Sequence, residues 1–348
     1  MPAQPPPTMN DVALAAGVSR STVSLALRNS RSIPPTTRSR IYAAAEKIGY
    51  KTNPLVSALM ASLHARRTSQ KHTVLAYVST YPPNVPWRQY GMFVEMHEGA
   101  QDRAEDLGYR LEEFWLREPG MTARRFSQML HARGILGLLL APLSHNERTI
   151  ELGFDDFAVV GIDMSVALPP IERVSNDHFQ SALLAVQECY ALGYRRIGFA
   201  VSRQLSERLD HRWLAAFQFA CARFPRADRV EPLICEDSHD IIGALPTWWH
   251  REKPDVVMSG ELDFNAAYPL PPEVGIVGLS LEEPSLGRVA GVFQDNRRMG
   301  GIALEHLVAR LERCEFGTDD RGRIHMLAGQ WKAGLSAPGR GCVRQVLI

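Results

Sequence analysis

The chain has 348 residues, 45% apolar and 22% charged, with 39 Lys/Arg against 38 Asp/Glu and a formal net charge of +1. That length exceeds what one hydrophobic core usually serves, so two or three domains are expected. No apolar run approaches the roughly 18 residues that would span a bilayer.

The charge is unevenly placed. Residues 1–72 carry ten basic side chains against two acids, Asp11 and Glu46, whereas the remainder carries 29 against 36. A compact cationic module on a mildly anionic body is built to meet a polyanion. Residues 1–7, rich in Pro, read as a disordered leader. They lack the basic and apolar regions of an export signal, so a cytoplasmic protein is expected.

Residues 8–52 read as three short helices. Asn10 or Asp11 caps the first, with Val12, Ala15 and Ala16 on one face, and Gly17 ends it. Ser19 caps a second over 20–28, with Val23, Ala26 and Leu27 inward. Thr36 or Thr37 opens a third with Ile41, Ala44, Ala45 and Ile48 inside, closed by Gly49. Helix, Gly-containing turn, helix is the helix-turn-helix pattern. A helix that enters the major groove needs small polar or basic side chains near its N-terminus, where Arg20, Ser21 and Thr22 stand. Ser24 and Arg28 are placed to hold phosphates.

Residues 53–71 read as a helix and linker. Asn53 caps, Pro54 suits the first position, and Leu55, Val56, Leu59, Met60 and Leu63 form an apolar stripe. Alone in water such a helix is unstable, so the stripe implies cover, most simply its twin in a second subunit.

Residues 72–336 alternate apolar strands with amphipathic helices. Strands are expected over 73–78, 111–114, 137–140, 158–162, 196–201, 255–258 and 275–278. Helices are expected over 93–107, 121–132, 179–192, 212–223 and 299–312. Continuous apolar strands between helices mean parallel sheets covered on both faces. There are enough units for two doubly wound subdomains, about 72–172 plus 291–314 and about 173–290 plus 315–336. The tail, 337–348, is too short for a coiled-coil segment.

The five cysteines form no CxxC pair, and no His cluster shows metal-ligand spacing, so reduced thiols and no metal or cofactor are expected. No phosphate loop, GxGxxG, HExxH or Gly-x-Ser-x-Gly occurs, which argues against an enzyme.

The run Asn10-Asp-Val-Ala-Leu-Ala-Ala-Gly-Val-Ser-Arg-Ser-Thr-Val-Ser24 resembles the N-terminal signature of the lactose-repressor/galactose-repressor (LacI/GalR) family. So do Thr37-Arg38, Ile41, Ala44-Ala45 and Ile48-Gly-Tyr50, followed by Asn53. Weaker similarity continues through Leu192-Gly-Tyr-Arg-Arg-Ile-Gly-Phe199, Gly275-Ile-Val-Gly278, Gln294, Met299-Gly300 and Gly329-Gln-Trp-Lys-Ala-Gly334. The resemblance implies a multidomain α plus α/β chain: a helix-turn-helix domain, a hinge helix, and a periplasmic-binding-protein-like core of two doubly wound parallel-sheet subdomains. It puts Asn53 and Leu59 of the hinge helix on DNA, with Leu59 as a minor-groove wedge. In the cleft it implies effector contacts from Asp163, from Ser280 and from an arginine for which Arg208 and Arg212 are rivals. Tyr81, Trp87 and Tyr90 follow the first strand, where flat aromatic faces suit sugar rings.

Some positions depart from the family pattern. Leu25, Ser57 and Met60 differ on the DNA side, and Ser280 stands where relatives carry an Asp. The stretch 259–273, with Pro269, Pro271 and Pro272, is too short and proline-rich for the usual helix. The implied function is a homodimeric, ligand-responsive repressor of a near-palindromic double-stranded DNA operator, with a sugar-like effector and no membrane partner. The alternatives are a regulator whose core serves only dimerisation, a solute-binding protein, and an architectural DNA binder.

Overall fold

The computed structural model describes residues 7, 9–19, 22–23, 26, 33–50, 73–81, 87–144, 147–262, 269–318 and 321–340. In the N-terminal module, α1 (Met9–Ala16) and α2 (Pro35–Lys47) pack together with the segment around Val23 and Ala26. The inward residues of α1 are Val12, Ala13 and Ala16. Ala13 thus takes the place expected of Ala15, which is exposed; two alanines flanking one stripe cannot be told apart by hydrophobicity. Asp11 lies inside the first turn rather than capping it. The third helix opens at Pro35 after Pro34, with no side-chain cap, because a fixed φ already suits the first helical position. The expected helices over 20–28 and from Asn53 fall largely or wholly outside the described residues.

The body contains two six-stranded sheets. The first lobe comprises β1 (Thr73–Ser79), α3 (Gly91–Asp106), β2 (Tyr109–Trp115), α4 (Ala123–Ala132), β3 (Gly137–Leu140), β4 (Ala158–Ile162) and β5 (Glu172–Asn176). The chain then crosses to α5 (His178–Ala191), β6 (Ile197–Ser202), α6 (Arg203–Arg208), α7 (Arg212–Cys221), β7 (Leu233–Cys235), α8 (Ser238–Glu252), β8 (Val256–Ser259), β9 (Gly275–Leu281) and β10 (Ala290–Phe293). It returns through α9 (Asn296–Glu312) and β11 (Ile324–Leu327), and crosses a third time into β12 (Gln330–Lys332). Strand orders are β11-β5-β4-β3-β1-β2 and β12-β10-β9-β8-β6-β7. All ladders are parallel except β10–β12.

This topology moves the expected subdomain limits. Glu172–Asn176 belongs to the first sheet, so the first crossing comes after Asn176 rather than near 172. Ala290–Phe293 pairs with β9 in the second sheet, and Ile324–Leu327 pairs with β5 in the first. The physical reason is pairing. A short strand joins whichever edge its backbone can ladder with, and sequence order says nothing about that. The helix α8 is also absent from the expected elements, because Pro246 inside it reads as a breaker; Asp237 caps it through a bond from His239 N.

The three crossings are strapped side by side. Asn176 Nδ2 donates to Gln294 Oε1 at 2.9 Å and to Asn296 Oδ1 at 3.3 Å, and Asp177 N donates to Leu327 O at 2.7 Å. Gly329 lets the third crossing pass β10: a Cβ there would stand 2.4 Å from Val292 Cγ1. Among the described residues no helix is long and apolar enough to cross a membrane.

Candidate functional site

In the N-terminal module the turn after α1 is left-handed at Gly17 (φ 63°), and Val18 N bonds back to Ala13 O at 3.0 Å. Ser19 then caps the second segment: its Oγ accepts from Thr22 N at 3.1 Å and shares a 2.8 Å bond with Thr22 Oγ1. Tyr42 of α2 donates to Ala26 O at 3.2 Å, which pins the third helix on the second segment. Thr22 therefore sits at the start of that segment, half-buried, its hydroxyl already engaged with Ser19. Arg20, Ser21, Ser24, Arg28, Asn53 and Leu59 lie outside the described residues.

In the body, buried polar residues concentrate at the carboxyl ends of the strands, where the two sheets face one another. Ser79 ends β1 and Thr80 follows it, Asp163 and Ser165 follow β4, and Asn176 ends β5 with His178 just beyond. Ser202, Ser259 and Gln294 occupy the same end of the second sheet. Open parallel sheets bind ligands at this edge.

Asp163 is the centre of the arrangement. Its backbone is left-handed (φ 71°), an uncommon and costly state for a non-glycine residue. Arg208 at the end of α6 reaches across from the other lobe, donating Nη2 to Asp163 Oδ2 at 3.3 Å and Nη1 to Leu143 O at 2.9 Å. His178 Nε2 stands 3.8 Å from the other carboxylate oxygen, and its ring meets Trp213 edge-on at 5.4 Å. Burial opposes ionisation of Asp163, but His178 and Arg208 outweigh it and bring its pKa down to about 2. A carboxylate shifted down contributes stability above its ordinary pKa and loses it as pH falls. The unfolding free energy should therefore carry about 2 kcal/mol from Asp163 near pH 5, lost as pH falls through about 2. Denaturant titrations of wild type and Asp163→Asn across that window check this; a stability difference independent of pH would count against it.

A second arginine bridges the lobes in the opposite direction. Arg148 of the first lobe donates to Glu207 O and, at 2.9 Å, to Asp210 Oδ1 in the turn between α6 and α7. That turn is left-handed at both Asp210 and His211. On another part of the interface, Glu282 Oε1 accepts from Met92 N at 3.1 Å. Of the two rival arginines, it is Arg208 that meets Asp163. Arg212 puts Nη1 3.8 Å from Met326 Sδ and has a buried Nε without a partner.

The remaining expected residues divide. Tyr81 is buried against Tyr90 and Phe93, and burial pushes its hydroxyl pKa up to about 12. Trp87 is not a wall for sugar rings: its indole donates to Glu113 at 2.7 Å, packs on Tyr77 and His97, and carries Arg88 over its face. A loop aromatic with a neighbouring acid is drawn into the core. Ser280 Oγ lies 3.5 Å from Gln294 Oε1 and so joins the amide network at the crossings. Sequence reasoning missed His178, Arg148 and Trp213, and also Glu261, whose carboxylate accepts from Ser202 N and Oγ at 2.6 Å each. Burial holds the Glu261 pKa above the usual carboxylate range. None of these carries a local motif; each is recruited by topology.

The chain thus joins a small helical N-terminal module to a two-lobed body with three crossings. The profile of "Bacterial regulatory proteins, lacI family" matches residues 8–53. The HTH-type transcriptional regulator PtxS of Pseudomonas plecoglossicida is 30% identical over 220 residues, 62% of this chain and 60% of that protein. GntR of Escherichia coli K12 is 26% identical over 330 residues, 88% of this chain and 92% of that regulator. The fold is similar to that of the lac repressor dimer bound to operator and the anti-inducer ONPF, with TM-score 0.53 at 16% identity, covering 96% of this chain and all of that one. Residues 8–53 therefore match the lacI-family model, and the chain is similar along most of its length to DNA-binding regulators of transcription.

Proposed function

We propose that the protein is a cytoplasmic homodimer that represses from a near-palindromic operator and responds to a small polar metabolite held between the lobes. The observation that carries the effector reading is the Asp163–Arg208 bridge. It is a buried ionic contact between lobes at the carboxyl ends of the strands, the kind of latch that a ligand's hydroxyl or acid groups can enter and re-form. Its neighbours His178, Trp213 and Arg212 each hold a buried nitrogen without a partner, so the site is rich in donors and suits an acceptor-rich ligand such as a sugar or sugar acid. Closure of the cleft would act on the three strapped crossings and bias the 53–71 segment, a coupling of about 1–3 kcal/mol. The lac repressor structure, described as a dimer on operator with an anti-inducer, supports the same plan.

On the DNA, Arg20, Ser21 and Thr22 read base edges, Ser24 and Arg28 hold phosphates, and Asn53 and Leu59 serve the hinge helix. In the cleft, Asp163, Arg208 and Arg212 are the polar contacts, with Tyr81 and Ser280 behind them. Replacing Arg20 with Ala removes a potential bidentate guanine contact, about 1–3 kcal/mol of discrimination. The preference for a selected operator over scrambled DNA should drop roughly 10- to 100-fold while the dimer persists. Competition anisotropy measures this, and an unchanged ratio removes Arg20 from the reading surface.

A second reading, a core that serves only dimerisation, is favoured by one fact: Asp163 is already neutralised by Arg208. A thermal-shift screen of sugars, sugar acids, nucleobases and sugar phosphates decides between them. A ligand at 100 times its dissociation constant adds about 2.7 kcal/mol. If none moves either the melting temperature or operator affinity, the effector reading fails.

A further inference from the structure

We propose that Glu172, His306 and His325 form a binding site for a divalent transition-metal ion of borderline character, for which Zn²⁺ is the probe. The three residues come from β5, α9 and β11 and are far apart in the chain, which is why their sequence spacing shows no ligand pattern. Folding brings one donor atom from each within 4.8 Å of the others. His306 Nδ1 and His325 Nε2 each lie 2.9 Å from the same oxygen, Glu172 Oε1. The two imidazole rings face each other with centroids 3.8 Å apart at 34°.

Zinc takes imidazole nitrogen at about 2.0–2.1 Å and carboxylate oxygen at about 2.0–2.2 Å, with a water in the open fourth position of a three-ligand site. Donors at about 2.0–2.2 Å in a tetrahedron stand roughly 3.3–3.5 Å apart, so each imidazole must open from its present 2.9 Å hydrogen bond to admit the ion. Two imidazoles and one carboxylate suit zinc, cobalt, nickel or copper, and are a poor set for calcium or magnesium, which require mostly oxygen. For the ion to bind, the protons now donated to Glu172 move to the outer nitrogens, Nε2 of His306 and Nδ1 of His325, by tautomeric exchange with water. The ring side chains are about a third exposed, at 30% and 36%, so water and ion can reach them.

The carboxylate is oriented for this task. Glu172 is 2% exposed, and its other oxygen accepts from Arg310 Nη1 at 3.2 Å while Arg310 Nη2 donates to Gly317 O at 3.0 Å. Arg310 thus fixes the carboxylate as an outer partner does in metal sites and leaves Oε1 facing the imidazoles. Arg310, together with Arg323 at 4.0 Å, also adds positive charge, so affinity should be below that of a dedicated structural zinc site. The position is separate from the effector cleft. Glu172 opens β5 at the amino end of a parallel sheet, the same end at which Thr73 begins β1, whereas the cleft lies at the carboxyl ends. An ion here would clamp together β5, α9 and β11, three segments that each lead into or out of a crossing.

The test uses the full-length chain, stripped with chelator and freed of it, then titrated with Co²⁺ by visible absorption and with Zn²⁺ by calorimetry. One equivalent should bind per chain, with the intense d–d bands of a low-symmetry nitrogen and oxygen site, and Zn²⁺ should raise the melting temperature. His306→Gln and His325→Gln should each weaken binding at least tenfold and abolish the thermal shift, with unchanged far-UV circular dichroism. Glu172 is left intact, since its loss would strand buried Arg310. The chain has 11 His in all. If the double variant binds both ions with the wild-type isotherm, or if the wild type shows no saturable site, the trio is an ion-pair cluster only and the proposal is overturned. Neither result touches the effector screen or operator binding, so the repressor reading stands or falls separately.

Discussion

Replacing Arg208 with Ala should cost about 3 kcal/mol of stability, whereas Arg212→Ala should cost less than about 1 kcal/mol. The two arginines lie four residues apart on one basic stretch, yet the fold gives them different tasks. Arg208 is 11% exposed and bonds both Asp163 Oδ2 and Leu143 O in the opposite lobe. Removing one member of a buried ion pair leaves the other charge without compensation, which commonly costs about 3–5 kcal/mol. His178, 3.8 Å from the remaining oxygen, softens the loss toward the lower end. Arg212 offers only a 3.8 Å contact to Met326 sulfur. The second consequence is geometric. With Arg208 gone, that edge of the cleft keeps Arg148 as its cross-lobe tie, and the apo protein should expand slightly in solution scattering. Urea unfolding of both variants reads the first effect. Equal losses, or a stable Arg208→Ala, would mean that the bridge does not hold the lobes.

Much of the body is legible in the chain, because strands such as Gly137–Leu140 and Ala158–Ile162 are buried along their whole length. Such runs have few alternatives. Three of the strands that escape a sequence reading are edges: Leu233–Cys235 and Ile324–Leu327 are only partly buried, and Gln330–Lys332 is three polar or half-buried residues. Edge strands are short and carry little apolar pattern to find. Glu172–Asn176 and Ala290–Phe293 lie inside their sheets and escape because polar residues in the first and a glycine in the second blur the apolar run. At the site, Asp163 is legible as an acid at a strand end. Its partner is not, because the choice between Arg208 and Arg212 rests on a turn in which Asp210 and His211 both take positive φ. Neither residue announces that state as a glycine would. Trp87 misleads for a related reason: an aromatic in a loop suits a ligand wall or a core equally well, and only Glu113 on the neighbouring strand decides.

The same logic makes two adjacent glycines behave in opposite ways. Gly300→Ala should lose about 2–3 kcal/mol, while Gly301→Ala should gain about 0.5–1 kcal/mol. Both sit in α9, where alanine is intrinsically the better helix former by about 1 kcal/mol. The contacts set them apart. A Cβ on Gly300 would stand 1.9 Å from Met96 O of α3, and one on Gly99 of α3 would stand 1.8 Å from Arg297 O of α9. The two helix backbones therefore touch through a pair of glycines, and no side-chain rotation can relieve the clash. The helices must separate, loosening a face that buries Met96, Ala100, Met299, Ala303 and Leu307. A Cβ on Gly301 instead meets Gly99 O at 3.4 Å and Arg103 Cβ at 3.7 Å, ordinary contact distances. The displacement would also travel. Asn296 begins α9, donates to Glu95 of α3 at 3.1 Å and accepts from Asn176 at the first crossing. Pushing α9 outward therefore strains the straps between the lobes, and effector-dependent changes in operator affinity should shrink in Gly300→Ala beyond what lost stability explains. Thermal and chemical unfolding of the two variants gives the sign of each effect. If Gly300→Ala is as stable as Gly301→Ala, the helices have room that the structure denies them, and the close approach is not what holds the first lobe together.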